Sequence, residues 1–324
     1  MQLSTAVNLP NLSFSWSPGT TFLSLGSCFA ERIGHRLEQA LFPGTVNPTG
    51  IYYNPVSLSR CLRSTINPPR LFLHQGLWRS LSHHSSLASS RSQESMRILV
   101  ESEKKRLEAL QNSEVMLLTL GTALVWETVD GGQVVANCHR LPSSLFRRRR
   151  LTVDETVHTL LPLIHHWLDL RESRQVVLTV SPVRYLRDGL VENSRGKSVL
   201  LLACEILEQS HPRTTYFPSY EIFLDQLRDY RFYADDLVQP SSMGVHIVWE
   251  CFRHTFFDDE TLLVLDKVEK IQALAGHRLT PRSDPRKLGA KGLSLLDDLE
   301  NRGVPLASAE LRRKFAHWVA GANS

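Results

Sequence analysis

The chain has 324 residues, 42% hydrophobic and 22% charged, the proportions of a globular protein long enough to bury a large core. Its 37 Lys and Arg against 33 Asp and Glu leave a formal charge of only +4, too small an excess to point to nucleic acid. No apolar run approaches the roughly 18 residues of a membrane helix. Met1-Gln2-Leu3-Ser4 lacks the basic and apolar regions of a secretory signal. The chain is therefore expected to be neither membrane-associated, collagen-like nor disordered. Five scattered cysteines (Cys28, Cys61, Cys138, Cys204, Cys251) without a CxxC pair predict reduced thiols, a cytoplasmic setting and no structural zinc.

In chain order, residues 1–19 read as an irregular lead-in. Thr20-Thr21-Phe22-Leu23-Ser24-Leu25 reads as a buried strand and Gly26-Ser27 as a turn. Phe29, Ile33, Leu37 and Leu41 then recur at helical spacing. Thr45-Val46-Asn47 is a candidate second strand. The loop 82–90 is rich in Ser and His. A helix over about 92–112 precedes the strand Val115–Leu120, which stops at Gly121-Thr122. Phe146-Arg147-Arg148-Arg149-Arg150 reads as a loop, either a solvated segment or a patch for an anion or acidic partner. Helices over 153–170, 195–210 and about 241–253 alternate with strands at Gln175–Val180 and Thr214–Phe217. Such alternation predicts a parallel sheet with helices on both faces. Residues 20–255 form the expected main domain. Beyond it, 256–324 reads as a helical appendage, with helices over 258–275 and 307–320 and a break at Pro281, Pro285 and Gly289.

Ligands of an open parallel sheet bind outside the carboxyl ends of its strands. Ser27 follows the first strand and opens a helix, so it is either a helix N-cap or a nucleophile beside amides able to hold an oxyanion. Cys28 is a second nucleophile candidate, with a thiol lowered by the helix N-terminus, but its side chain is expected to face the core. The absence of phosphate-loop, dinucleotide and metal-ligand spacings predicts no cofactor and no metal.

Leu25-Gly26-Ser27-Cys28-Phe29-Ala30-Glu31 resembles the signature of the GSCFA family. Further stretches match it in order: Val46 to Pro55, Leu120 to Ala123, Val135 to His139, Val180 to Val183, Asp188 to Asn193, Tyr216 to Glu221 and Asp229 to Ala234. Together they span about 20–253. The family looks like a branch of the SGNH hydrolases, which are esterases, lipases and carbohydrate O-acyl hydrolases. The resemblance implies a three-layer α/β/α sandwich with a flavodoxin-like, five-stranded parallel sheet in the order 2-1-3-4-5. It implies Ser27 as nucleophile, Gly50 as an oxyanion donor through its amide, and Asp236 with position 239 as the Asp-x-x-His pair of the triad. The expected substrate is a small-molecule or carbohydrate ester, with no nucleic acid or membrane as partner.

Two positions depart from the pattern. Where these enzymes carry Gly-x-Asn, this chain has Gly121-Thr122-Ala123, leaving the Thr122 hydroxyl or Asn137 to stand in. Position 239 is Gln, and an amide cannot take a proton near neutral pH. His246 lies two helical turns, about 10 Å, further on, too far for simple replacement. His139 is the better substitute base, with His83 and His84 in a family-like loop. Arg184, Glu192, Asn193, Lys197, Tyr220, Glu221, Asp229 and Arg231 are expected near strand ends, as a polar binding site or an ion-pair network.

Overall fold

The structure, a computed structural model, describes residues 4–12, 14–66, 69–280 and 283–321. From the amino end, β1 (Phe22–Gly26) leads into α1 (Cys28–Gln39) and β2 (Gly44–Val46). A short helix α2 (Pro55–Ser59), a hairpin of β3 (Phe72–His74) and β4 (Leu77–Arg79), and the long helix α3 (Ser92–Asn112) precede β5 (Val115–Leu120). Next come β6 (Leu124–Thr128), β7 (Val134–Val135), β8 (Phe146–Arg150), α4 (Val153–Asp169), β9 (Gln175–Val180), α5 (Gly189–Gln209) and β10 (Thr214–Tyr216). The remainder holds α6 (Ser219–Glu221), α7 (Ser242–Phe256), α8 (Asp259–Ala275), α9 (Pro285–Asn301) and α10 (Ala309–Ala320).

The central sheet runs β2-β1-β5-β9-β10, every pair parallel. Counted along the chain this is the order 2-1-3-4-5 that the resemblance implied. Side chains alternate across each strand, and both sets are apolar. Leu23, Leu25, Met116, Leu118, Val176 and Leu178 enter one core with Leu110 of α3, Leu160 and Ile164 of α4, and Leu200 and Leu207 of α5. Phe22, Val115, Leu117 and Val177 enter the other, with Phe29 and Ile33 of α1 and Val248, Phe252 and Phe256 of α7. The fold is thus the expected three-layer sandwich, and two covered faces explain why the strands read as continuous apolar runs.

Helix signals are met locally. Ser27 caps α1, Thr152 and Glu155 form a capping box on α4, and Ser241 caps α7. Three readings are corrected. The arginine run is strand β8, antiparallel to β6, with Arg147 and Arg149 on Glu127 at 2.8 and 2.7 Å. Pairing, not solvent, organises those charges. Pro285 does not break the chain but opens α9, at the first helical position where no N–H is needed. The helix expected from 195 begins six residues earlier, at Gly189.

The lead-in is anchored at Trp16, which is 2% exposed and stacks on Phe256 with ring centroids 4.6 Å apart. Its indole Nε1 donates to Gln175 Oε1 at 3.2 Å. Helices α8, α9 and α10 share a core of Val268, Ile271, Leu296, Leu299 and Phe315, joined by Leu41. Among the described residues no helix is long and apolar enough to cross a membrane.

Candidate active site

The first strand ends at Gly26, whose φ is +135° and where a Cβ would lie 2.2 Å from Thr119 O. Only glycine lets β1 and β5 stay paired through this turn. Ser27 follows, in extended geometry, and its Oγ accepts the Phe29 N–H at 3.2 Å. The hydroxyl is therefore the N-cap of α1, in a residue 1% exposed. Cys28, the next residue, is half-buried. Burial raises the thiol above its ordinary range despite the helix N-terminus and Arg32, which removes the basis for a thiolate nucleophile.

The loop after β2 packs against this turn. Asn47 Oδ1 accepts the Gly26 N–H at 2.9 Å, the Tyr52 N–H reaches Gly26 O at 2.9 Å, and Tyr53 O accepts from Gly121 and Thr122 at 2.9 and 2.8 Å. Gly50 has φ +86°, and a Cβ there would meet His84 Cβ at 2.3 Å. The amides expected to stand free are engaged: Ser27 N–H donates to Thr119 O at 3.2 Å and Gly50 N–H to Asn47 O at 2.8 Å.

A second loop, whose Gln239 lies 207 residues beyond Arg32 in the chain, also reaches α1. Asp236 Oδ1 accepts the N–H groups of Val238 and Gln239, both at 2.9 Å. These bonds hold its carboxyl below the usual range, and they shape the turn around Leu237, whose φ is +53°. Asp236 thus positions residue 239 through the backbone. The Gln239 side chain extends to α1, where Oε1 accepts from Arg32 Nη2 at 2.9 Å. Arg184, beyond β9, secures the same loop: its N–H donates to Val238 O at 3.2 Å and its guanidinium covers the Tyr233 ring at 4.2 Å.

Other expected residues are placed as follows. Thr122 Oγ1 accepts Leu124 N–H at 3.1 Å, Asn193 Oδ1 accepts Tyr185 N–H at 2.8 Å, and Asn137 Oδ1 accepts His139 N–H at 2.8 Å. All three brace loops. Glu221 accepts the Tyr216 hydroxyl at 2.9 Å, with its carboxyl raised by burial. The Tyr220 ring lies on the edge occupied by Lys197, 6.0 Å from Nζ. Glu192 pairs with Arg150 and Arg195, each at 2.7 Å, and Arg231 with Asp229 at 3.3 Å. His139 is buried, its Nε2 2.8 Å from Ser80 O and its ring edge-on to Phe72. His83 lies between Ser80 Oγ and Glu103 at 3.1 and 3.2 Å. His246 is exposed on α7, 4.0 Å from Glu250. No hydrogen bond joins any of these rings to Ser27.

Two residues gain a place that spacing alone did not give them. Arg32 falls one turn beyond Cys28 on the same side of α1, the signal that could have tied it to the Gln239 loop. Lys197 is 2% exposed, with Nζ donating to Gly121 O at 2.6 Å and Ser181 O at 2.5 Å. Burial lowers its amine to about 7. Its helical spacing with Leu200, Cys204 and Leu207, all on the buried face of α5, is the signal that could have found it. Among the described residues no three His, Cys, Asp or Glu side chains gather as a metal site would need.

Comparison with known proteins adds a family. The model of the GSCFA family matches residues 21–252. No curated protein sequence matches the chain. A solved structure, the acetyl xylan esterase Est2A from the rumen bacterium Butyrivibrio proteoclasticus, aligns at 8% identity and a TM-score of 0.35, over 76% of this chain and 66% of that one. The alignment thus spans just under two thirds of the esterase chain.

Proposed function

Because the chain belongs to the GSCFA family, we propose that its cleft is an SGNH-type ester site, a serine hydrolase or acyltransferase weakened at its general base. The observation that carries this reading is the meeting of Ser27's helix with the Asp236–Gln239 loop through the Arg32–Gln239 bond of 2.9 Å. The loop that bears the base in such enzymes lies against the nucleophile's helix here. Ser27 would attack the ester carbonyl, and Asp236 would hold residue 239 in register. The substrate class is an O-acyl carbohydrate or a small-molecule ester. Thr122, Asn137, Tyr220, Glu221, Arg184 and Asn193 would shape the cleft, mostly by bracing its loops.

A second reading is a lapsed hydrolase that binds an ester-like ligand without turning it over. Three contacts favour it: Gln239 is held by Arg32, and the Ser27 and Gly50 amides are engaged by backbone carbonyls. Hydrolysis of p-nitrophenyl acetate by the wild type, Ser27→Ala and Gln239→His separates the two. The ester-site reading expects a slow, Ser27-dependent rate, which Gln239→His raises by about 10²-fold, the low end of general-base catalysis. If Ser27→Ala leaves every rate unchanged, the binding reading replaces it. Should His139→Ala alone abolish the wild-type rate, His139 is the base.

A further inference from the structure

Lys197 is a buried amine on the carboxyl edge of the sheet. Its two acceptors, Gly121 O and Ser181 O, belong to the first residues beyond β5 and β9. Gly121 also borders the candidate nucleophile, since a Cβ added there would stand 3.3 Å from Ser27 Cβ. One glycine therefore has the serine against its α-carbon and the lysine on its carbonyl. The ionisable groups facing the amine are the Cys28 thiol of α1 and the Tyr220 phenol of α6, and neither is a carboxylate.

Both acceptors are carbonyls, which take hydrogens and return none. A neutral amine has two N–H groups and one lone pair, so two carbonyls use its hydrogens and leave the lone pair free. An ammonium would bury a full charge against partial dipoles, which is costly. Burial accordingly brings the amine to about 7, the range wanted of a general base. The histidines offer less. His84 Nδ1 accepts the Ser86 N–H at 3.3 Å, which occupies its lone pair. His83 is held on both nitrogens. His139 donates through Nε2 to Ser80 O and leaves Nδ1 unpartnered, but its ring is packed edge-on against Phe72 and its pKa is lowered by burial.

We propose, resting on the ester-site reading above, that Lys197 takes the proton of Ser27, directly or through one water, in place of the histidine missing at position 239. The Ser27 proton passes to the Nζ lone pair as Oγ bonds the carbonyl carbon and the π pair moves to oxygen. The ammonium then returns that proton to the departing alkoxide as the ester C–O bond breaks. Water repeats the cycle on the acyl-serine, with the amine again accepting the proton, and releases acid and free Ser27.

The test is p-nitrophenyl acetate hydrolysis across the neutral range by the wild type, Ser27→Ala, Lys197→Met and Lys197→Arg, with circular dichroism to check folding. The Ser27-dependent rate is expected to rise to a plateau with a midpoint near 7. Both Lys197 variants should lower kcat by about 10²-fold or more with KM little changed. Folded Lys197 variants that keep the wild-type kcat and profile overturn the proposal while Ser27 stands as nucleophile. A rate untouched by Ser27→Ala overturns the ester-site reading, and this proposal with it. If neither lysine variant folds, fluorophosphonate labelling of Ser27 in the wild type should follow the same pH curve as one lysine Nζ in a 15N NMR titration. Flat labelling, or an Nζ that stays charged to pH about 9, overturns the proposal.

Discussion

Replacing Lys197 by Met should alter how stability depends on pH, and the size follows from the site. Unfolded, the amine keeps its proton to about its ordinary 10.5, and folded only to about 7. Between those values the unfolded chain binds one more proton than the native one. Wild-type stability must therefore rise with pH through that window and fall away as pH drops toward 7. The slope approaches about 1.4 kcal/mol per pH unit. Integrated from pH about 7 to about 9, Lys197 adds roughly 2 kcal/mol. Lys197→Met lacks this term. It also leaves the Gly121 and Ser181 carbonyls unpaired, a pH-independent loss of about 1–3 kcal/mol each. Urea unfolding at three pH values, followed by the fluorescence of the six tryptophans, gives both curves. The gap between wild type and variant should widen by roughly 2 kcal/mol across the window. Parallel curves would refute the claim that the buried amine is uncharged in the native state.

Gly26→Ala should cost about 3 kcal/mol or more, because the new methyl overlaps Thr119 O and the φ of +135° is strained for any side chain; thermal denaturation measures it, and a loss under about 1 kcal/mol contradicts the pairing described. Arg253→Met should cost about 2 kcal/mol, since the half-exposed acids Glu250, Asp266 and Glu269 all rest on that one buried guanidinium at 2.9–3.1 Å. Much of that loss should disappear in molar salt, checked by repeating the melt.

The sheet was legible because burial on both faces leaves no polar alternation to confuse the reading. Val115–Leu120 is buried throughout, and Gln175–Val180 at every position but the first. The order of the strands was not in the pattern and came from the GSCFA resemblance. Strand β8 was hidden by its own chemistry. Four successive arginines look like a solvated run until Glu127, twenty residues upstream, is seen to hold two of them. Helix α9 was lost to a rule applied at the wrong register, since a proline that stops a helix interior starts one at its first position. In the candidate site, Ser27 was singled out by its strand-to-helix position and the Asp236–Gln239 loop by the GSCFA resemblance. The engaged amides were not, because backbone hydrogen bonds leave no mark on residue type. Lys197 was noticed only as one polar residue among several. Its depth emerges from the apolar face it shares with Leu200 and Leu207, combined with the short turns that bring two strand ends to its tip.

Trp16 has a consequence for how the molecule is made. Its neighbours are Phe252, Phe256 and Phe257, and the adjoining Ser15 bonds Asp258 across 243 residues of chain. Contacts of such sequence separation slow folding, since the loop must close before they contribute. During synthesis the lead-in therefore emerges from the ribosome long before its docking partners exist. An indole and the apolar face of the sheet it helps to cover stay open until α7 has been made, so this half of the core is the later one to close.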